Sequence, residues 1–324
     1  MEELEKYGNE LQTYLEDVVS KEEPSQLYEP IRYILSLGGK RLRPVLTLMT
    51  CDFFEVNYTK AIQAALAVEL FHNFSLIHDD IMDNAPLRRG KETVHEKWNL
   101  NTGILSGDAM LILAYRLFEE YPAEMFQDLA KLFSKTALEV CEGQQYDVDF
   151  ETRNDVTLDE YITMIDYKTA VLVGAAMKMG AIVADASQNC QESIYQFGRN
   201  LGIAFQLQDD YLDAFGDPQT FGKQVGGDII ANKKTFLYLT AIKNSSVSEA
   251  EELTQLFSII PKDPHDKIAS VKDIFVRSGA AEAIKDEISL YTQRAYDVLN
   301  GIKINEENKT SLRTFGNWLM QRTV

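Results

Sequence analysis

The chain has 324 residues, 45% of them hydrophobic, and carries 32 Lys and Arg against 50 Asp and Glu, a net charge of −18. That length supports one large core, and no shift in composition argues for a division, so a single domain over 1–324 is expected. The acidic balance disfavours a nucleic-acid or anionic-membrane partner.

Three widely spaced cysteines, Cys51, Cys141 and Cys190, lack metal-ligand spacing. They fit a reducing, cytoplasmic setting. The first residues are acidic and amphipathic, unlike a signal peptide, and no apolar run is long enough to cross a bilayer.

Apolar residues recur at three- and four-residue intervals over 1–20, 60–82, 103–119, 123–145, 168–185, 190–213, 279–300 and 307–321. Strand alternation is absent. None of the eight prolines falls between Pro122 and Pro218, which leaves room for long helices. An all-α bundle around a deep central cavity is predicted, with loops near 36–41, 84–92, 150–156, 215–228 and 259–264.

The first loop leads into Gly38-Gly39-Lys40-Arg41-Leu42-Arg43-Pro44. Paired glycines let backbone come close to a ligand, and Lys40 with Arg43 offers a point charge and a forked donor to phosphate oxygens. An ordinary helix C-cap followed by basic residues is the competing reading. Pro44 argues that these residues do not simply continue the preceding helix.

The helix over 60–82 ends in an apolar run interrupted by Asp79, Asp80 and Asp83. The i, i+4 spacing stacks Asp79 and Asp83 about 6 Å apart on one face, with Asp80 on the adjoining flank. Hard oxygens so arranged, with room for water and phosphate oxygens, suit Mg2+. A solvated acidic face is the alternative in so acidic a chain. His72 lies two turns earlier on the same face, and Arg88-Arg89-Gly90 follows once the chain turns at Pro86.

The helix over 190–213 carries a second copy of the pattern, Asp209, Asp210 and Asp213, again among apolar residues. Two such faces opposed across one cavity make a clamp for a metal-bound diphosphate. Lys168-Thr169 reads as a helix start, and the small residues after it, Ala170, Gly174, Ala175, Ala176 and Gly180, permit close helix packing. Asp228 is placed to pair with Lys233 or Lys234, and its role stays open.

This ordered set resembles the trans-isoprenyl diphosphate synthase family over nearly the whole chain. The resemblance implies head-to-tail 1'-4 condensation, in which an allylic diphosphate loses its diphosphate and isopentenyl diphosphate attacks the cation. It implies Asp79, Asp83 and Asp209 as direct Mg2+ ligands, supported by Asp80, Asp210 and Asp213, with three ions when the allylic substrate is bound. Lys40, Arg43, His72 and Arg89, beside Gly39, match positions that hold isopentenyl diphosphate. Arg88, Lys168, Lys223 and Lys233 match those that grip the allylic diphosphate. Gln144 and Asp147, in Gly-Gln-Gln-Tyr-Asp, match a further motif, while Thr169 and Gln206 face the carbocation beside Phe205. A homodimer is also implied. A terpene cyclase and a non-catalytic regulatory subunit are rivals, but the first has no need of Gly39 to Arg43 and the second commonly loses acidic ligands.

One helical turn rises about 5.4 Å, roughly one isoprene unit, so residues below Asp79 act as a ruler. Ser75 is small and Phe74 bulky, a pattern that resembles C20-forming members. Geranylgeranyl diphosphate is therefore the expected product, ahead of farnesyl and longer diphosphates. Phe74 sits well round the helix from Asp79, so an ordinary core aromatic is the competing reading.

Overall fold

A computed structural model describes residues 2–217 and 225–321. The chain divides into two compact units, Met1–Lys135 with Ala175–Glu192, and Thr136–Gly174 with Ser193–Val324. The all-α expectation holds: among the described residues the only sheet is a hairpin of two residue pairs, Leu87–Arg88 and Lys91–Glu92, inside the loop expected at 84–92.

The first unit contains α1 (Glu2–Val18), α2 (Ser25–Ser36), α3 (Leu42–Phe53), α4 (Ile62–Met82), α5 (Val94–Lys97) and α6 (Leu100–Leu117). From Ala64 to Phe71 every residue of α4 is buried, so this half has no polar face and must sit inside the unit. Phe133, in the long helix α7 (Ala123–Thr152), gathers Phe71, Tyr115 and Phe118 edge-on at centroid distances of 4.7 to 5.2 Å. Burial relaxes from Phe74 onward, and the helix closes at its acidic end with Asp83 as C-cap.

Apolar spacing did not reveal α2 and α3. Pro30 lies within α2, and Pro44 through Cys51 of α3 are all buried, which erases any periodicity. Arg43 thus belongs to a helix: the chain turns through Arg41 in a left-handed conformation, φ 45°, and Pro44 stands in the first turn, where proline is tolerated.

In the second unit α8 (Leu158–Ile165) starts with a capping box between Thr157 and Glu160. It runs through a π-helical turn, Asp166–Ala170, into α9 (Val171–Val183), so Lys168-Thr169 is a bulge inside continuous helix and not a helix start. Close approaches hold the bulge. A Cβ on Gly143 of α7 would strike the backbone of Tyr167 and Lys168, and one on Gly202 of α10 (Gln188–Phe215) would lie 2.7 Å from the Cα of Ala170. The Arg199 guanidinium, from α10, forks onto the buried Asp166 carboxylate. Further helices, Phe236–Asn244, Val247–Leu256, His265–Arg277, Ala280–Asn300 and Glu306–Gln321, complete the unit, the first three unforeseen. The C-terminus of α7 also extends to Thr152, into the loop expected from 150.

Candidate active site

In the second unit, a cavity of about 170 Å³ is lined by residues of α7, α8, the π turn, α10 and the segment 228–235. Asp147, on α7, receives the Lys168 ammonium at 2.5 Å and that of Lys233 at 3.8 Å. Burial alone would raise its pKa, but the two lysines hold it below the ordinary carboxylate value. Thr169 Oγ1 donates to Gln206 Oε1 at 3.2 Å, so the π turn and α10 present one polar surface.

The second triad divides by burial. Asp210 is only 5% exposed and accepts hydrogen bonds from the Tyr161 hydroxyl and, at 3.1 Å, from Gln206 Nε2. Burial, then the nearby Asp228 carboxylate, pushes its pKa well above normal. Asp213 ties down the loop beyond the helix: its carboxylate accepts from the Asp228 backbone N–H at 3.0 Å and its carbonyl from Gly226 N–H at 2.6 Å. Asp209, Asp213 and Asp228 all line the cavity.

The cavity therefore unites Asp147, Lys168, Thr169, Gln206, Asp209, Asp210, Asp213 and Lys233. It adds Tyr161, Asp228 and Lys234. Tyr161 carried no signal in the sequence. Lys233 approaches Asp147, Lys234 donates to the carbonyls of Phe150, Glu151 and Arg153, and the backbone N–H of Asp228 donates to the Asp213 carboxylate of α10. Phe205 is half-buried beside Gln206; Gln144 is buried, and neither end of its amide finds a hydrogen-bond partner among the described residues. Lys223 lies outside the described residues.

In the first unit, Asp79 and Asp83 stand one turn apart at the end of α4, half-buried and exposed respectively. Asp80 turns inward, 1% exposed, and Arg88 clasps it with Nε at 3.0 Å and Nη2 at 2.6 Å. Arg88 thus holds the acidic turn together in this structure.

The basic cluster is built around α3 and α4. Arg43 Nη1 lies 3.3 Å from His72 Nε2. A guanidinium can only donate, so that ring nitrogen accepts and the imidazole is neutral; burial, then the charges of Arg43 and Arg89, hold its pKa well below 6.5. Glu69, also buried, accepts from Asn73 Nδ2 at 2.9 Å. Arg41 Nη1 and Arg43 Nε are buried with no hydrogen-bond partner among the described residues. Orphaned guanidinium donors of this kind suit an anion. Arg41 was not singled out from the sequence, although it sits inside the motif. Gly39 has φ 125°, and a Cβ there would meet Arg89 Nη2 at 2.6 Å. The glycine makes room for an arginine side chain, where the sequence suggested room for the ligand itself. Lys40 is exposed beside it, Ser75 donates to the His72 carbonyl at 2.8 Å, and Phe74 packs on Phe71 and His78 at 5.5 and 4.7 Å.

Among the described residues no three His, Cys, Asp or Glu side chains converge into a ready-made metal cage. The charge of the cavity in the second unit nonetheless fits divalent cations. Its lining includes six carboxylates, Asp147, Glu151, Asp209, Asp210, Asp213 and Asp228, and three lysines, Lys168, Lys233 and Lys234. Hard carboxylate oxygens in excess, without a closed cage, suit Mg2+, which keeps waters and accepts substrate phosphate oxygens.

Residues 24–275 match the family model for polyprenyl synthetase. A geranylgeranyl diphosphate synthase of Methanosarcina mazei is 38% identical over 245 residues, 75% of this chain and 76% of its own. A geranylfarnesyl diphosphate synthase of Aeropyrum pernix is 34% identical over 308 residues, 92% and 95% of the two chains. A solved geranylgeranyl pyrophosphate synthase is 54% identical and superposes with a TM-score of 0.95, covering 98% of both chains.

Proposed function

Because the chain belongs to the polyprenyl synthetase family, we propose that it condenses isopentenyl diphosphate with allylic diphosphates, head to tail, to geranylgeranyl diphosphate. The observation that carries the reading is the cavity whose carboxylates outnumber its lysines: an anionic substrate enters such a place only with divalent cations. Asp79, Asp83 and Asp209 are assigned as Mg2+ ligands, with Asp80, Asp210 and Asp213 in support. When bound, Mg2+ neutralises the departing diphosphate.

The chain's own groups do the rest. Lys168 and Lys233, already gathered on Asp147, are released toward the leaving group and offset the charge that grows on it as the carbon–oxygen bond breaks. Lys223 is assigned the same role. Thr169 and Gln206 turn oxygen atoms toward the allylic cation, and apolar neighbours such as Phe205 keep water from it. Isopentenyl diphosphate is held without metal by Lys40, Arg43, His72 and Arg89, with Arg41 added by its orphaned donor. Gln144 belongs to the substrate-binding set through its buried amide, which has no hydrogen-bond partner among the described residues.

Phe74 limits the product. A product one isoprene unit longer is the second reading, supported by the likeness to the Aeropyrum pernix enzyme. Incubation with isopentenyl and farnesyl diphosphates and Mg2+, followed by sizing of the products, tests both. A C20 product is expected, and Phe74→Ala should lengthen it; cyclic hydrocarbon or no turnover with any allylic primer would remove the assignment. Asp79→Ala should lose about 10³-fold or more in kcat/KM, the cost of a direct metal ligand.

The protein acts as a homodimer, and as one domain. Leu105 and Ile112, two turns apart on α6, are 59% and 60% exposed, and such an apolar stripe suits a second copy. Among the described residues no helix is long and apolar enough to cross a membrane, and Cys51, Cys141 and Cys190 form no disulfide, which suits the cytoplasm.

A further inference from the structure

Two lysines beside the cavity of the second unit do no work in the reaction just described. Lys267, on the helix His265–Arg277, is 3% exposed. Its ammonium donates to the Asn232 side-chain oxygen and, at 2.9 Å, to the Ile259 carbonyl. Lys234 donates to the carbonyls of Phe150, at 3.1 Å, Glu151, at 3.3 Å, and Arg153. Among the described residues neither forms an ion pair with a carboxylate; Lys267 is buried and Lys234 half-buried, and loss of water lowers the pKa of each, opposed in Lys234 by a weaker pull from Asp155. A charge buried on neutral oxygens is poor economy if stability is the only purpose, since apolar residues of like volume fill such places at least as well.

What the two groups share is the segment 226–235. It opens at Gly226, φ 84°, and turns again at Asn232, φ 58°, a left-handed conformation uncommon outside glycine. Between and after these turns it delivers Asp228 and Lys233 to the cavity. Its own backbone bonds, Lys233 N–H to the Asp228 carbonyl at 2.9 Å and Thr235 N–H to the Lys233 carbonyl at 3.0 Å, fix its shape but not its place. Lys267 anchors the strained residue immediately before Lys233. Lys234 anchors the residue immediately after, and does so on the C-terminal turn of α7, whose carbonyls attract a cation. The same α7 bears Asp147, the partner of Lys233.

We propose that Lys234 and Lys267 are positioning residues, a two-sided ammonium clamp that sets Lys233 and Asp228 for the allylic diphosphate. The inference rests on the assignment of this cavity to that substrate. Displacement of a charged group by about 1 Å costs about 100-fold in rate. Lys234→Met and Lys267→Met should therefore each lower kcat and raise KM for the allylic diphosphate, for a combined loss of about 10- to 100-fold. KM for isopentenyl diphosphate should not move. Lys234→Arg, whose fork can still reach several carbonyls, should recover most of the loss.

The measurement is steady-state kinetics of the full-length protein with each substrate varied in turn, beside thermal unfolding of every variant. Parent protein that turns over no allylic diphosphate removes the functional reading itself. If the parent is active, the clamp is overturned by Met variants with unchanged constants, by KM shifts shared by both substrates, or by losses that merely follow the unfolded fraction. Asn232→Ala supplies a second route, because it removes the side-chain bond from Lys267 to the segment without removing a charge. It should reproduce the Lys267→Met kinetics, and the double variant should be no worse than either; additive losses would overturn the coupling.

Discussion

Gly39 shows how a single missing carbon atom shapes the basic cluster. Its φ of 125° and the 2.6 Å approach of Arg89 Nη2 to a built Cβ exclude any other residue without a shift. Arg89 ends on a flexible side chain, so Gly39→Ala should cost only about 1–3 kcal/mol of stability. Function should suffer more selectively: KM for isopentenyl diphosphate should rise about tenfold, the loss of one charge-assisted hydrogen bond, with KM for the allylic substrate unmoved. Equal changes in both would show that Arg89 does not serve one substrate. His72 offers a pH test. Its folded-state pKa lies well below 6.5, so as pH falls through 6.5 the unfolded chain takes up a proton that the folded chain refuses, and stability drops. Melting temperature measured from pH 7.5 to 5 should fall more for the parent than for His72→Gln. Parallel curves would mean that the imidazole is protonated in the folded state.

At the scale of elements, the π turn Asp166–Ala170 matters most. An α-helix through this stretch would rotate Lys168 and Thr169 relative to the residues before them, and the extra residue aims both at the cavity. Nothing in the local sequence announces it. It exists because Gly143 and Gly202 allow α7 and α10 to press against it and because Arg199 grips Asp166. Gly202→Ala should force backbone apart, cost about 1–3 kcal/mol and depress kcat beyond what the lost stability explains. Gly8→Ala is the control: a Cβ there meets nothing within 4 Å, and α1 should gain about 0.5–1 kcal/mol. Chemical denaturation of both variants, with kcat measured alongside, checks the contrast; equal behaviour would deny the packing argument.

For the whole molecule, the charge of −18 and the exposed α6 stripe make opposite demands. Like charge keeps copies apart, whereas Leu105 and Ile112 gain by being covered. Light scattering should give a dimer for the parent and a shift toward monomer for Leu105→Glu. A monomeric parent would leave the stripe unexplained by self-association. Chelation of divalent ions should abolish turnover while helical circular dichroism stays constant, because the helices close on their own apolar cores. Loss of helicity would make the metal structural.

Much of this was legible in the chain because the features concerned are local. Helices repeat every 3.6 residues, so the amphipathic α1, α10 and Ala280–Asn300 declared themselves, and carboxylates spaced i and i+4 share a face wherever the helix goes. The helix α3 stayed hidden because it is buried on all sides, and Lys168 was misplaced because a bulge leaves no periodic trace. What only the tertiary structure decided are pairings across long separations: Lys168 on Asp147, 21 residues away, Tyr161 on Asp210, 49 away, and Lys234 on the end of α7, more than 80 away. Periodicity constrains neighbours in the chain. Which lysine meets which carboxylate depends on how helices are brought together, and that is settled by the fit of their buried surfaces.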